Sequence, residues 1–260
     1  MYDNKHKIIS IVNQKGGVGK TTTCIALASI AANRGNRTLI IDLDPNCHST
    51  SVLTNKKIDI TYNSYTFLTG SNYKKAIKKT AKPNIHLMPA VDKLYSFEKK
   101  HGKEPLKSIV LNKRLEKLIK NEQYQYIIID CCSTVGALQF NAVTAANMVI
   151  IPAIPDFLSL AGFNQLLLTL RRINNKYNKL CNYYLLFTMF QEQLKSHKSV
   201  VEWARNKIKD ITFKNKIPFD EVFLEANNHG VNFIDEMPAS HGSQSYVSVY
   251  TEMQNLLKES

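Results

Sequence analysis

A strand-like run, a glycine-rich turn and a helical segment follow one another near the start of the chain, and this triplet constrains the fold more than any other feature. Lys7-Ile8-Ile9-Ser10-Ile11-Val12 is rich in β-branched residues, and Lys20 to Arg34 carries Ile25, Leu27, Ala28 and Ile30 at helical spacing before Gly35 supplies a stop. Between them lies Lys15-Gly16-Gly17-Val18-Gly19-Lys20-Thr21-Thr22. Glycines let successive backbone N–H groups close around phosphate oxygens, while the helix that follows adds the positive end of its dipole. Lys20 is placed to reach β- and γ-phosphates, and the Thr21 hydroxyl to ligate Mg²⁺. The turn reads as a nucleotide phosphate loop. Gly-Lys-Thr also occurs by chance in loops, but here the preceding strand and following helix supply the context the motif needs. The general G-x-x-x-x-G-K-[ST] pattern requires Gly at position 14, where this chain has Gln14, so the loop is a variant with a second lysine, Lys15.

Strand and helix patterns alternate along most of the chain. Thr38-Leu39-Ile40-Ile41 ends at Asp42, Tyr126-Ile127-Ile128-Ile129 at Asp130, and Met148-Val149-Ile150-Ile151 at Pro152; Tyr183 to Phe187 gives one more strand. Helical segments are expected at Phe163 to Tyr177, Ser199 to Lys209 and Gln244 to Lys258. Near-continuous apolar strands separated by helices predict an α/β fold with a mostly parallel twisted sheet and helices on both faces. Ligands then bind beyond the carboxyl ends of the strands. The chain has 260 residues with no internal repeat and no linker rich in Pro, Gly or Ser, which is read as a single domain, 1–260.

Charge points to a partner. The net charge of +13 is concentrated in two blocks, +10 over residues 71–120 and +7 over residues 171–220. The first includes Lys74, Lys75, Lys78, Lys79 and Lys82, and the second Lys195, Lys198, Arg205, Lys207, Lys209, Lys214 and Lys216. A polyanion is the natural partner of such blocks, although lysine-rich helix faces also serve simply to solvate a protein. Five cysteines without a Cys-x-x-Cys pair suit neither a disulfide frame nor a zinc site, and the apolar runs fall far short of the ~20 residues of a membrane span. A cytoplasmic setting with reduced thiols is expected, with no membrane partner.

The loop Lys15 to Thr21 resembles the deviant K-G-G-x-x-K-[ST] motif of the ParA/Soj/MinD class of P-loop ATPases, and within it the chain is most similar to ParA-type partition ATPases. The similarity continues in order through Ile41-Asp42-Leu43-Asp44-Pro45, Tyr126 to Asp130, Asn141-Ala142, Ile151-Pro152, Thr188-Met189, Ile217-Pro218 and Glu225-Ala226 with His229-Gly230. It implies a P-loop NTPase fold and a Mg²⁺-dependent, weak, partner-stimulated ATP hydrolase. Lys15 would cross a face-to-face homodimer to the partner's ATP. Asp44 would position the attacking water and, with Thr21 and Asp130, form the Mg²⁺ site, and Pro218 would pack by the adenine with Asp220 nearby. The resemblance also implies nonspecific DNA and a ParB-like protein as partners, plasmid or chromosome partitioning as the task, and association with the nucleoid. No N-terminal helix-turn-helix domain is expected ahead of the first strand.

Departures from the family pattern are equally readable. Asp-x-Pro-Pro-Ser after the Walker B strand is here Asp130-Cys131-Cys132-Ser133-Thr134, and Asn46 replaces a Gln. Gln193, Phe219 and Val222 stand where family members carry DNA-binding arginines, which leaves Lys195, Lys198 and Arg205 as candidate DNA contacts, because phosphate neutralisation depends more on charge count than on identity. Three alternatives compete. A MinD-like membrane switch would need a basic amphipathic C-terminal helix, yet residues 249–260 hold one Lys and two Glu. A metal-cluster protein would need cysteine ligands beyond Cys131 and Cys132. A ParA-like protein that positions a protein cargo would need no DNA contacts at all.

Overall fold

The computed structural model describes residues 6–54, 58–103, 109–177, 181–229 and 232–259. Its centre is a seven-stranded sheet built from β1 (Lys7–Ile11), β2 (Thr38–Leu43), β3 (Lys78–Lys79), β4 (Ile85–Met88), β5 (Tyr126–Cys131), β6 (Met148–Ala153) and β7 (Asn182–Phe187). The strand order is β3-β4-β2-β5-β1-β6-β7. All neighbours pair in parallel except β3, which runs antiparallel to β4.

Strict alternation of side chains across the pleat splits the apolar strands between two cores. Ile8, Val12, Ile127 and Ile129 face one cluster, and Ile9, Ile11 and Ile128 face the other. The second is closed by α1 (Lys20–Asn33) and by α12 (His241–Glu259), whose Tyr246 and Tyr250 are fully buried. The first lies under α3 (Ser64–Thr69), α4 (Tyr73–Ala76), α5 (Leu94–His101), α6 (Leu111–Asn121), α7 (Ala137–Ala145), α8 (Phe157–Tyr177) and α9 (Lys195–Lys207). Short α2 (His48–Thr54) follows β2, and α10 (Val222–His229) and α11 (Phe233–Glu236) precede α12. The sheet is thus covered on both faces, as near-continuous apolar strands require.

Three helices start earlier than the sequence expectation. Helix α8 begins at Phe157 rather than Phe163, α9 at Lys195 rather than Ser199, and α12 at His241 rather than Gln244. The earlier start of α9 puts Lys195 and Lys198 on the same helix as Arg205. Strand β2 runs through Asp42 to Leu43, so Asp42 lies inside the strand and Asp44 just beyond it. Gly230 and the five residues before His6 lie outside the described residues.

Candidate functional site

At the carboxyl ends of β1, β5 and β2, the fold brings together Lys15 and Lys20, the hydroxyls of Thr21, Ser49 and Ser133, and the carboxylates of Asp42, Asp44 and Asp130. The loop that starts the site has two left-handed glycines, Gly17 at φ 70° and Gly19 at φ 85°, a region that L side chains rarely adopt. Gly19 is the N-cap of α1, so the turn cannot close into the helix without it. A Cβ on Gly16 or Gly17 would meet nothing within 4 Å, so the loop backbone is open to an approaching ligand. Two side chains brace the loop from outside. Asn13 Oδ1 accepts from the Lys15 N–H at 3.0 Å while its Nδ2 donates to the Pro152 carbonyl, and Thr188 Oγ1 donates to the carbonyl of buried Val18 at 2.9 Å. Thr22 follows in the first turn of α1, half-buried.

Lys20 is buried and folds back over its own loop, donating to the Lys15 carbonyl at 3.0 Å and to Ser133 Oγ at 2.7 Å. Burial lowers its pKa, and the charges of Asp130 and Asp44 resist that shift. Ser133 occupies a position where the family pattern has proline, and sequence reading gave no sign that its hydroxyl would receive the loop lysine. No periodicity or motif encodes a contact 113 residues distant in sequence.

Asp130 sits at the floor of the site, wholly buried. Its Oδ2 accepts from Thr21 Oγ1 at 2.9 Å and from Ser49 Oγ, while Oδ1 has no hydrogen-bond partner among the described residues. Burial pushes its carboxyl up to about 6, against the pull of Ser49, Thr21 and Lys20. A buried carboxylate oxygen without a donor is costly, and a cation or its water shell would remove that cost. The residues therefore fit a divalent ion at Thr21 and Asp130. Asp44, also buried, accepts from the backbone and side-chain amides of Asn46, both at 2.9 Å.

Asp42 is a different kind of carboxylate. It pairs in register with Asp130 across β2 and β5, accepts from the Thr50 N–H and hydroxyl and from the Asp44 N–H, and is wholly buried. Burial first and the Asp130 charge second raise it to about 8. Its bonds tie β2 to α2, whereas the charge of Asp44 acts on Lys20.

Lys15 leaves the phosphate loop. Its ammonium meets Asp156 Oδ2 at 3.0 Å and Ser159 Oγ at 3.1 Å, at the start of α8. Asp156 in turn accepts from the Ser159 N–H and hydroxyl, capping that helix. Exposed Val135, Phe157 and Leu158 lie on the segments that follow β5 and β6, on either side of β1.

Pro218 joins the site's far wall by a bridge to Phe190, and the two line a cavity of about 440 Å³ with Gln191, Lys216, Phe219 and Ser245. Asp220 stands next to it with its oxygens spent on the N–H groups of Val222 and Gly242. On α9, Lys195, Lys198 and Arg205 are exposed along one face at spacings of three and seven. Lys198 pairs with Glu192 at 3.0 Å and Arg205 donates to the Lys214 carbonyl at 3.2 Å. Gln193 and Phe219 are exposed near them. No helix among the described residues is long and apolar enough to cross a membrane.

Comparison with known proteins agrees with this geometry. A family model described as an AAA domain matches residues 6–182. The sporulation initiation inhibitor protein Soj of Bacillus subtilis is 34% identical over 249 residues, covering 95% of this chain and 98% of that protein. The chromosome partitioning protein ParA of Caulobacter vibrioides is 31% identical over 255 residues, covering 97% and 96%. Among solved structures, a putative plasmid partition protein of Borrelia burgdorferi bound to AMPPNP superposes with a TM-score of 0.81 at 26% identity, covering 96% of this chain and 99% of that one. A seven-stranded P-loop sheet, a phosphate loop with two lysines and near-full-length similarity above 30% converge on one assignment: the chain belongs to the ParA/Soj family of P-loop ATPases.

Proposed function

We propose that this chain, as a single ATPase domain, is a nucleotide-switched dimer that holds nonspecific DNA and drives partitioning of a plasmid or chromosome with a ParB-like protein. ATP sits over the loop from Lys15 to Thr22 with its base toward Pro218, Asp220 lying just behind. Thr21 and Asp130, with Asp44 beside them, would hold Mg²⁺, which would supply charge neutralisation to the phosphates. Asp44 orients the attacking water, and Lys20 moves from Ser133 to the phosphates. Lys15 reaches across to the nucleotide of the facing subunit.

The observation that carries the reading is the surface around Lys15. This ammonium is directed out of its own loop to the start of α8, where Phe157 and Leu158 are exposed, apolar surface that a second copy would bury. DNA is assigned to the α9 face, where Lys195, Lys198 and Arg205 from two subunits would act together, so that dimerisation raises avidity without new contacts. The cytoplasm is the setting, at the nucleoid when DNA is held.

Size analysis of the protein with ATP and Mg²⁺ tests the core of this reading. Asp44→Ala should accumulate as a dimer because hydrolysis is blocked, and Lys15→Gln should stay monomeric. A monomeric Asp44→Ala protein with ATP bound would end the dimer switch. The ATP-dependent part of DNA affinity should fall by about 0.9 log units per log unit of salt for each phosphate contacted. A second reading, positioning of a protein cargo without DNA, is favoured by Gln193, Phe219 and Val222 standing where the family's arginines lie. A gel shift with ATP separates the two.

A further inference from the structure

The larger of the two basic blocks is not used by the α9 surface. In the sheet order β3 and β7 are the two edges; α4, in the block at residues 71–120, leads into β3, whereas α9 follows β7. Six strand spacings of about 4.8 Å put roughly 29 Å between the edges.

At the β3 side, α6 and the turn between α3 and α4 enclose an open cavity of about 480 Å³. Buried Phe67 and Tyr73 stand behind it, and Lys113, Arg114 and Lys117 line it, with no carboxylate among the lining residues. Arg114 is oriented in advance. Its Nε donates to the Leu68 carbonyl at 3.1 Å and its Nη2 lies 3.5 Å from where a Cβ on Gly70 would stand, which leaves the terminal nitrogens unspent among the described residues. Lys113 and Lys117 are exposed and make no ion pair among the described residues, and Glu116 is the sole acid on that helix. One helical turn sets the two lysines about 6 Å apart along the axis, close to two phosphate steps at about 3.4 Å of rise per strand.

We propose that this cleft is a second nucleic-acid site, in which Lys113, Arg114 and Lys117 hold backbone phosphates of a duplex without requiring ATP. Two exposed cations at phosphate spacing beside a fixed guanidinium favour an extended polyanion over a compact anion, which would leave the outer lysine unused. The site goes beyond the α9 reading and does not need it.

The test is fluorescence anisotropy of a short labelled duplex with the full chain at low salt, first without nucleotide and then with ATP and Mg²⁺. Without nucleotide, Lys113→Glu with Lys117→Glu should weaken binding at least tenfold, and Lys113→Gln with Lys117→Gln should lower the salt slope by about 1.8, the value for two phosphates. Lys195→Glu with Lys198→Glu should leave this nucleotide-free binding in place. Absence of nucleotide-free binding by the wild type, or binding that ignores both α6 variants, overturns the proposal. So does a result in which those variants lose affinity for phosphatidylglycerol vesicles but not for the duplex. The α9 reading fails separately, if ATP adds no affinity that depends on Lys195 and Lys198.

Discussion

Lys15 and Asp156, 141 residues apart in sequence, form an ion pair of 3.0 Å that holds the outward lysine of the phosphate loop against the start of α8. The same ammonium is the one proposed to serve a facing subunit, so the pair and the dimer compete for it. With both side chains more than a third exposed, the pair is worth at most about 1 kcal/mol. Asp156→Ala is therefore expected to lower the ATP concentration needed for dimerisation by up to about fivefold, read by light scattering. An unchanged or higher requirement would show that the pair restrains nothing.

Asp42 and Asp130 face each other across β2 and β5, and both carboxyls are raised, to about 8 and about 6. A raised acid binds its proton more tightly in the folded chain than in the unfolded one, where the value is near 4. Stability from these groups is fully present below pH 4 and is lost as pH rises through 6 and then 8. Between pH 5 and 8, Asp130→Asn should therefore gain stability relative to the nucleotide-free wild type, as seen by urea unfolding at the two ends. The difference between the two proteins cancels the titrations that do not sense Asp130, and Asp42, which loses the Asp130 charge and so falls, widens the gap in the same direction. A gap that shrinks as pH rises contradicts the assignment.

Ser133 accepts from the buried ammonium of Lys20. Ser133→Ala removes that acceptor, and a hydrogen bond to a charged group is worth about 1.5–3 kcal/mol. Unfolding of the nucleotide-free protein should show a loss near the lower end, since Lys20 keeps the Lys15 carbonyl. With saturating nucleotide the loss should shrink, because the ammonium then has phosphate oxygens.

Glu98 of α5 accepts from the N–H groups of Ala137 and Leu138, the first turn of α7, at 2.8 and 3.0 Å. A Cβ on Gly136 would fall on that carboxylate. Gly136→Ala is expected to cost about 2–4 kcal/mol by displacing the cap and leaving the buried amides unpaired. Glu98→Ala in the same background should cost little more, and full additivity of the two changes would refute the clash.

The central strands and the phosphate loop were legible because each is a local pattern. Ile8 to Val12, Tyr126 to Ile129 and Met148 to Ile151 are apolar runs too short for anything but buried strands, and Gly17 and Gly19 announce a left-handed turn. The stretch from α2 to α5 was not legible. Its helices have four to eight residues, which is too short for a helical period to repeat, and β3 has two. The start of α8 was hidden for another reason: Phe157 and Leu158 are exposed, so their apolarity breaks the buried stripe that marks a helix. Of the candidate site, Lys20 and Thr21 follow from the loop and Asp130 lies at a strand end, while Asp44 is implied by the family resemblance. Ser49, Thr50, Ser133 and Asp156 do not, because each is recruited by the tertiary fold, and a lone Ser or Asp in a turn carries no signal of its own.

The position of Lys20 links the phosphate loop to the rest of the chain. The Lys20 ammonium has three donors and gives two of them to the Lys15 carbonyl and Ser133, so a triphosphate that draws it off Ser133 would loosen the segment that carries Val135 and Gly136. That segment is stitched through Glu98 to α5, on the same side of the sheet as α6. A change of partner at Lys20 would in this way reach the outer helices through three side chains, Lys20, Ser133 and Glu98.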